Sequence, residues 1–368
     1  MATQHSLHKV GILTGGGDCP GLNAAIRAVA KPAILDYGME IIGIKDGFAG
    51  LVQNKTVRLD YEDVSGILTR GGTILGTSNK ADPFRWPEEK KEGETIFRDL
   101  SSLALKNYHE LGLDCLFCIG GDGTLTAARK FHELGLNIIG IPKTIDNDLS
   151  GTDLSFGFDT AVLNATEAID KIHTTAESHH RVMVVETMGR YAGWIALHAG
   201  LAGGGDIILI PEIPYDPACI TAKIRERGRR GKRYSIIVVA EGAKAKGGEM
   251  TVDKVIESSP DPIRLGGIGR QVAELIETST GIETRVTVLG HLLRGGTPTP
   301  FDRILATRFG VKALELAVKG HFGQMACLHG QEISSVPLSE AVNRLRLVPP
   351  DSALVKTARE VGTSMGDE

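Results

Sequence analysis

The sequence predicts a doubly wound α/β architecture, and three observations carry that prediction. Short, continuously apolar runs recur at residues 9–13, 40–44, 115–119, 137–141, 182–186, 206–210 and 234–240. Helix-length stretches separate them, beginning with residues 22–33. Glycine or proline bounds most of the runs. Runs that are apolar throughout, rather than alternating, suit parallel strands covered on both faces. Strands and helices in alternation build an open sheet with helices on each side.

Composition narrows the class further. A chain of 368 residues holds one large domain or two of ordinary size. A net charge of -4 gives no bulk attraction to nucleic acid. The 46 glycines fall in short motifs rather than in a repeat, which argues against a low-complexity or collagen-like chain. The cysteines are Cys19, Cys115, Cys118, Cys219 and Cys327. Cys115 and Cys118 share an apolar run whose strand reading places them on opposite faces, so buried thiols are expected rather than a metal site. The opening MATQHSLHKV lacks an apolar signal core, and no run is long enough to span a bilayer, so a cytoplasmic protein away from membranes is expected. Residues 82–94 read as a charged surface connection leading into a helix near 95–111. Residues 243–249 read as a loop, residues 361–368 as a frayed tail, and no internal repeat is evident.

Ligands of open α/β sheets bind at the carboxyl ends of the strands, and five motifs fall there. The segment from Thr14 to Asn23 (TGGGDCPGLN) follows the first strand and opens a helix. Its bare backbone suits phosphate, although it is neither a dinucleotide fingerprint nor a Walker loop. Gly120-Gly-Asp-Gly-Thr124 repeats the arrangement, with Asp122 placed where a divalent metal would bridge phosphate oxygens. The alternative for Asp122 is a helix N-cap. Pro142-Lys-Thr-Ile-Asp-Asn-Asp148 offers two carboxylates at i and i+2, one able to act as base. Its Lys143 and Thr144 supply a cation and a hydroxyl for phosphate, while an ordinary Asn/Asp turn is the alternative. Glu186-Thr-Met-Gly-Arg-Tyr-Ala-Gly193 follows another strand. In Thr284–Gly296 cations flank an apolar strand, with Arg285 at its start and His291 and Arg294 after it. Such cations commonly receive an anionic group, whereas a lone histidine is more often structural.

Together, TGGGDCPGLNAAIR, GGDGT, PKTIDND, ETMGR and TVLGHLLRGG resemble the phosphofructokinase family in order, from Gly11 to about Arg308. The resemblance implies two doubly wound α/β domains with the active site in the cleft between them. Residues 1–157 with about 293–340 would form the phosphate-donor domain, and 158–292 with 341–368 the sugar-phosphate domain. It implies transfer of the γ-phosphate of ATP to the 1-hydroxyl of fructose 6-phosphate in glycolysis, with Mg2+, and a homotetramer or homodimer. By the same resemblance Asp146 is the general base and Asp122 the magnesium-site acid. Thr144 and Asp148 contact the transferred phosphate and the sugar. Gly16, Gly121, Gly123, Thr124 and Lys143 line the donor site. Met188, Gly189, Arg190 and Glu241 lie on the sugar side, with Arg190 neutralising the phosphoryl group in flight. Arg181, Arg285, His291 and Arg294 form the 6-phosphate pocket, Arg181 and Arg285 reaching it from a neighbouring subunit. Alignment and positive charge are what phosphoryl transfer requires of a protein.

The chain departs from the common bacterial pattern at two places. Asn79-Lys80 stands where that pattern has Arg-Phe, so an arginine contacting the phosphoryl group is either missing or replaced by Lys80 or Lys143. Arg27 and Lys31 keep a basic pair of the bacterial effector site, but His173 replaces an arginine there. NAD kinases and lipid kinases share GGDGT alone. A non-catalytic subunit of the same fold would be expected to lose Asp146 or Asp122. The donor rests on two residues. Pyrophosphate users of the family place aspartate where this chain has Gly123, and lysine where it has Lys143. Gly123 leaves a nucleotide groove open, and Lys143 serves either donor, so ATP is the expected donor and pyrophosphate the alternative.

Overall fold

The protein is described by a computed structural model covering residues 7–89, 95–256, 259, 262–342 and 344–368. Its strands are β1 (Lys9–Thr14), β2 (Glu40–Ile44), β3 (Thr56–Leu59), β4 (Trp86–Glu89), β5 (Thr95–Arg98), β6 (Cys115–Gly120), β7 (Ile138–Pro142), β8 (Val182–Thr187), β9 (Ile207–Leu209), β10 (Ser235–Ala240), β11 (Val252–Val255), β12 (Ile263–Leu265), β13 (Thr284–Val288), β14 (Gln324–His329) and β15 (Glu332–Pro337).

Two sheets organise the chain. The first has seven strands in the order β15-β14-β7-β6-β1-β2-β3. Its five inner strands are parallel and the two edge strands antiparallel. The second, β13-β8-β10-β9, is parallel throughout. The sequence of β6, CLFCIG, shows why: all of its residues are buried. Cys115, Phe117 and Ile119 enter one apolar cluster, while Leu116 and Cys118 enter another on the opposite face. The cysteine pair is therefore split across the sheet as its spacing predicts, with both thiols buried and free. In β8, Met183 and Val185 join the cluster that holds Phe117, whereas Val182 and Val184 belong to a third. One continuous apolar core thus contains side chains from both sheets, and helices Leu22–Leu35, Phe158–His179 and Pro300–Val318 contribute to it.

The structure corrects three local expectations. The helix expected at residues 95–111 is confined to Ser101–Glu110. Thr95–Arg98 instead pairs antiparallel with Trp86–Glu89. The Asp99 carboxylate accepts a hydrogen bond from the Ser101 amide at 2.8 Å, which fixes the helix start there. Within the expected 82–94 connection, Trp86–Glu89 is strand β4, and residues 90–94 lie outside the described residues. The frayed tail is not frayed. Ser364, Met365 and Gly366 are buried, the Ile208 amide donates to the Ser364 carbonyl at 2.9 Å, and Arg359 pairs with Asp367.

Candidate active site

The first sheet presents three loops at the carboxyl ends of neighbouring strands β1, β6 and β7. Close contact between them depends on missing side chains. A Cβ at Gly15 would lie 2.5 Å from Thr124 Oγ1, and one at Gly120 would lie 2.3 Å from Thr124 Cβ. Thr124 is therefore buried in the joint between the first two glycine loops. Gly16 has φ of +79°, a conformation glycine adopts without penalty. Its amide donates to the Ser78 carbonyl at 3.0 Å, and Thr77 Oγ1 donates to its carbonyl at 2.6 Å. The segment leading to Asn79 and the exposed Lys80 is thus held beside Gly16.

Lys143 lies beneath the same loop. It is 3% exposed, and its Nζ donates to the Gly17 carbonyl, so an ammonium group underlies the bare Gly16–Gly17 backbone. Burial lowers its pKa, and the nearby Arg294 lowers it further. Gly121 is the N-cap of helix Asp122–Glu133, and no side chain caps that terminus. Asp122, half-buried in the first turn, is consequently not an N-cap and keeps its carboxylate at the positive end of the helix. Gly123 is exposed, with open space where a Cβ would project.

The PKTIDND turn places its carboxylates at the end of β7. Asp146 and Asp148 are 5% and 8% exposed, so neither is a solvated loop acid. Asp146 Oδ1 is buried without a hydrogen-bond partner among the described residues. The Asp146 amide donates to Thr144 Oγ1 at 3.1 Å. Asn147 between the two acids has φ of +52°, and its Oδ1 accepts from the Ser155 amide at 3.1 Å. Burial raises the pKa of Asp148, the Asp146 charge raises it further, and the Arg190 charge opposes them.

The second sheet supplies the facing residues. After β8 the chain turns through Met188, Gly189 and Arg190, with φ of +148° at Gly189 and +52° at Arg190. Glu241, at the end of β10, holds that turn. Its Oε1 accepts from the Arg190 amide at 2.9 Å and from the Gly189 amide at 3.3 Å. Burial pushes Glu241 up to about 7, and Asp146 contributes in the same direction. Asp146, Asp148, Glu241 and Arg190 are therefore brought together. Glu186, the first residue of ETMGR, faces elsewhere: its carboxylate accepts from the Gly267 and Gly269 amides at 3.0 and 2.8 Å, anchoring helix Ile268–Thr280.

The four proposed 6-phosphate residues do not form one group within the chain. Arg181 precedes β8 and Arg285 opens β13, at the amino ends of these parallel strands. There Glu283 binds both, at 2.8 Å to Arg181 Nε. His291 and Arg294 lie on the 3-10 turn Gly290–Arg294 beyond the carboxyl end of β13. Arg294 reaches the first glycine loop, donating to the Asp18 carbonyl at 3.0 Å. Among the effector-site candidates, Lys31 lies 4.2 Å over the Tyr61 ring. His173 has its Nε2 on the Gly203 carbonyl at 2.7 Å.

Sequence reasoning missed the segment that crosses between the two sides. The Arg346 amide donates to the Asp148 carbonyl at 2.8 Å, and Trp194 Nε1 donates to the Arg346 carbonyl at 2.8 Å. Glu212 accepts from the Gly193 amide at 3.0 Å and the Val348 amide at 2.8 Å. No motif signals Trp194, Glu212, Arg346 or Val348, because most of their contacts use backbone atoms.

No group of three or more His, Cys, Asp or Glu side chains among the described residues could hold a metal by itself. A single acid at a helix N-terminus, next to bare backbone, fits a magnesium ion that takes its other ligands from phosphate and water. No helix among the described residues is long and apolar enough to cross a membrane.

Comparison with known proteins adds the family. The family model described as phosphofructokinase matches residues 9–317. The chain is 53% identical over 362 residues to an ATP-dependent 6-phosphofructokinase 2 of Clostridium perfringens, covering 98% of this chain and 99% of that one. It is 54% identical over 357 residues to an ATP-dependent 6-phosphofructokinase of Spirochaeta thermophila, covering 97% of each. Among solved structures, it superposes on a phosphofructokinase from Saccharomyces cerevisiae with a TM-score of 0.75 at 33% identity. That match covers 97% of this chain and spans 47% of the longer yeast chain.

Proposed function

The chain belongs to the phosphofructokinase family, and we propose that it transfers the γ-phosphate of ATP to the 1-hydroxyl of fructose 6-phosphate. The observation that carries this reading is the buried Asp146 Oδ1, which has no hydrogen-bond partner among the described residues. Asp146 takes the proton of the sugar hydroxyl as its oxygen bonds to the γ-phosphorus. The bond from that phosphorus to the bridging oxygen breaks, and ADP leaves with the electron pair. Lys143 and the Gly16–Gly17 backbone hold donor phosphate, and Arg190 offsets charge on the moving phosphoryl group. Thr144 and Asp148 position the phosphoryl group and sugar, while Met188, Gly189 and Glu241 shape the sugar side. Asp122 would hold Mg2+, which neutralises phosphate charge and aligns the donor when bound.

Gly123 favours a nucleotide, because open space lies where a side chain would project. The names of the two bacterial relatives point the same way. We assign residues 1–157 with about 293–340 to the donor domain and 158–292 with 341–368 to the sugar domain. A cytoplasmic homotetramer, or at least a dimer, completes the reading. The strand-start position of Arg181 and Arg285 supports their entering a neighbouring copy's 6-phosphate pocket, beside its His291 and Arg294. Phosphorus NMR of a mixture of protein, MgATP and fructose 6-phosphate tests the activity: fructose 1,6-bisphosphate and ADP should accumulate together. ATP hydrolysis without sugar phosphorylation would refute it.

A further inference from the structure

We infer that Arg346, on a C-terminal segment outside every motif of the site, is a positioning residue that sets the catalytic turn relative to the sugar-side turn. The inference rests on the proposed phosphoryl transfer, in which Asp146 is the base. It begins with the backbone around that base. Asn147 adopts φ of +52°, a conformation that costs energy for a residue with a side chain and persists where surrounding contacts impose it. Two contacts bear on it directly: Asn147 Oδ1 accepts from Ser155, and the Asn147 carbonyl accepts from Arg346 Nη1 at 3.3 Å. The next carbonyl, of Asp148, accepts from the Arg346 amide. Leu345 bridges to Leu149, and Ser150 Oγ donates to the Arg344 carbonyl at 2.6 Å. A short strand-like strap therefore runs along the turn that carries both acids.

The other side of the strap grips the second sheet. The Arg346 guanidinium carbon lies 4.2 Å from the Trp194 ring centroid, and Trp194 Nε1 donates back to the Arg346 carbonyl. Trp194 opens helix Trp194–Ala202, a few residues after the Gly189–Arg190 turn. Two residues further on, the Val348 amide shares the Glu212 carboxylate with the Gly193 amide, at the end of the same turn. The Arg346 side chain touches both sides of this crossing, with its Nη1 on the catalytic turn and its cation on Trp194. The residue lies beyond residue 317, where the family match ends. Misplacement of a reacting group by about 1 Å costs up to about 10²-fold in rate, so loss of this side-chain link should appear in turnover.

Arg346→Met keeps length and contact with Trp194 but removes the donor and the charge, and Arg346→Lys restores a charge and a donor. The backbone bonds survive in both. The expected result for Arg346→Met is a fall in kcat of about 10-fold, with KM for both substrates within about 2-fold and an unchanged melting temperature. Arg346→Lys should recover part of kcat. Unchanged kcat in Arg346→Met overturns the inference, as does a fall in kcat that tracks a lower melting temperature and is not rescued by lysine. If Arg346→Met proves insoluble, Arg346→Ala takes its place, and a wild-type kcat in that variant overturns the inference. The wild-type assay separates the two levels: an inactive wild type refutes the proposed activity itself, and an active wild type with an equally active Arg346→Met refutes only the role of Arg346.

Discussion

Complementation between two inactive variants tests whether the active site is shared between copies of the chain. Arg181 and Arg285 stand at the amino ends of β8 and β13, whereas Met188, Gly189 and Glu241 lie beyond the carboxyl ends of β8 and β10. Six residues of β8, at about 3.3 Å each, put about 20 Å between Arg181 and the sugar-side turn of its own chain. An arginine side chain cannot cover that distance. Arg285→Ala should therefore raise the KM for fructose 6-phosphate strongly and leave the KM for ATP nearly unchanged. Arg181→Ala should do the same, and the double variant should be non-additive if both arginines bind one phosphate. The decisive perturbation is to refold Arg285→Ala together with Asp146→Asn in equal amounts. Each mixed pair then contains one site with both lesions and one with neither. With half of the pairs mixed and one of two sites intact in each, about a quarter of wild-type activity should return at low fructose 6-phosphate. A coupled assay before and after mixing measures it. Continued inactivity of the mixture, with mixed oligomers present by mass spectrometry, would refute the shared site and leave the arginines to their ion pairs with Glu283 and Glu277.

Three further outcomes follow from the same geometry. Asp146→Asn should lower kcat by about 10²–10⁴-fold while fructose 6-phosphate still binds, as measured by steady-state kinetics and calorimetry; near-normal kcat would remove Asp146 from the proton transfer. Burial raises Glu241 to about 7, so between its unfolded pKa and that value the folded state holds the extra proton. Folding stability contributed at this site therefore falls as pH rises through that window, by up to about 3 kcal/mol. Glu241→Gln should gain melting temperature relative to the wild type from pH 5 to pH 8, and a constant difference would argue against a buried acid there. Gly123→Asp places a carboxylate in the open space beside the helix start, and should sharply raise the KM for ATP while leaving folding intact by circular dichroism; an unchanged KM would show that the nucleotide passes elsewhere.

Much of this site is legible in the sequence because its chemistry sits where strand patterns end. The runs that become β6, β7 and β8 are uniformly buried, and β1 is buried after Lys9, so their apolar character marks both the strand and the loop that follows. The glycines of the first two loops are likewise readable, since Thr124 fills the space that side chains at residues 15 and 120 would take. Where the pattern weakens, the reading fails. The sequence TIFR of β5 is half-exposed or exposed and short, and helical periodicity from residue 101 obscures it. The half-exposed edge strand β15 likewise lacks a continuous apolar run. The tail beyond residue 361 looks polar, yet it is held mainly through backbone bonds that composition does not reveal. Glu186 opens the ETMGR motif, but only the fold shows the helix amides that bind it. Arg346 is invisible for the same reason: its partners are carbonyls and a ring nearly two hundred and about one hundred and fifty residues away in sequence.

The donor assay tests the central claim most directly. Purified protein, saturating fructose 6-phosphate and magnesium would be given either ATP or pyrophosphate, with fructose 1,6-bisphosphate formation followed in a coupled reaction. The open position at Gly123 predicts turnover with ATP, with pyrophosphate supporting little or none. Turnover with pyrophosphate and none with ATP would contradict the account, and would make the buried Lys143, rather than Gly123, the residue that reports the donor.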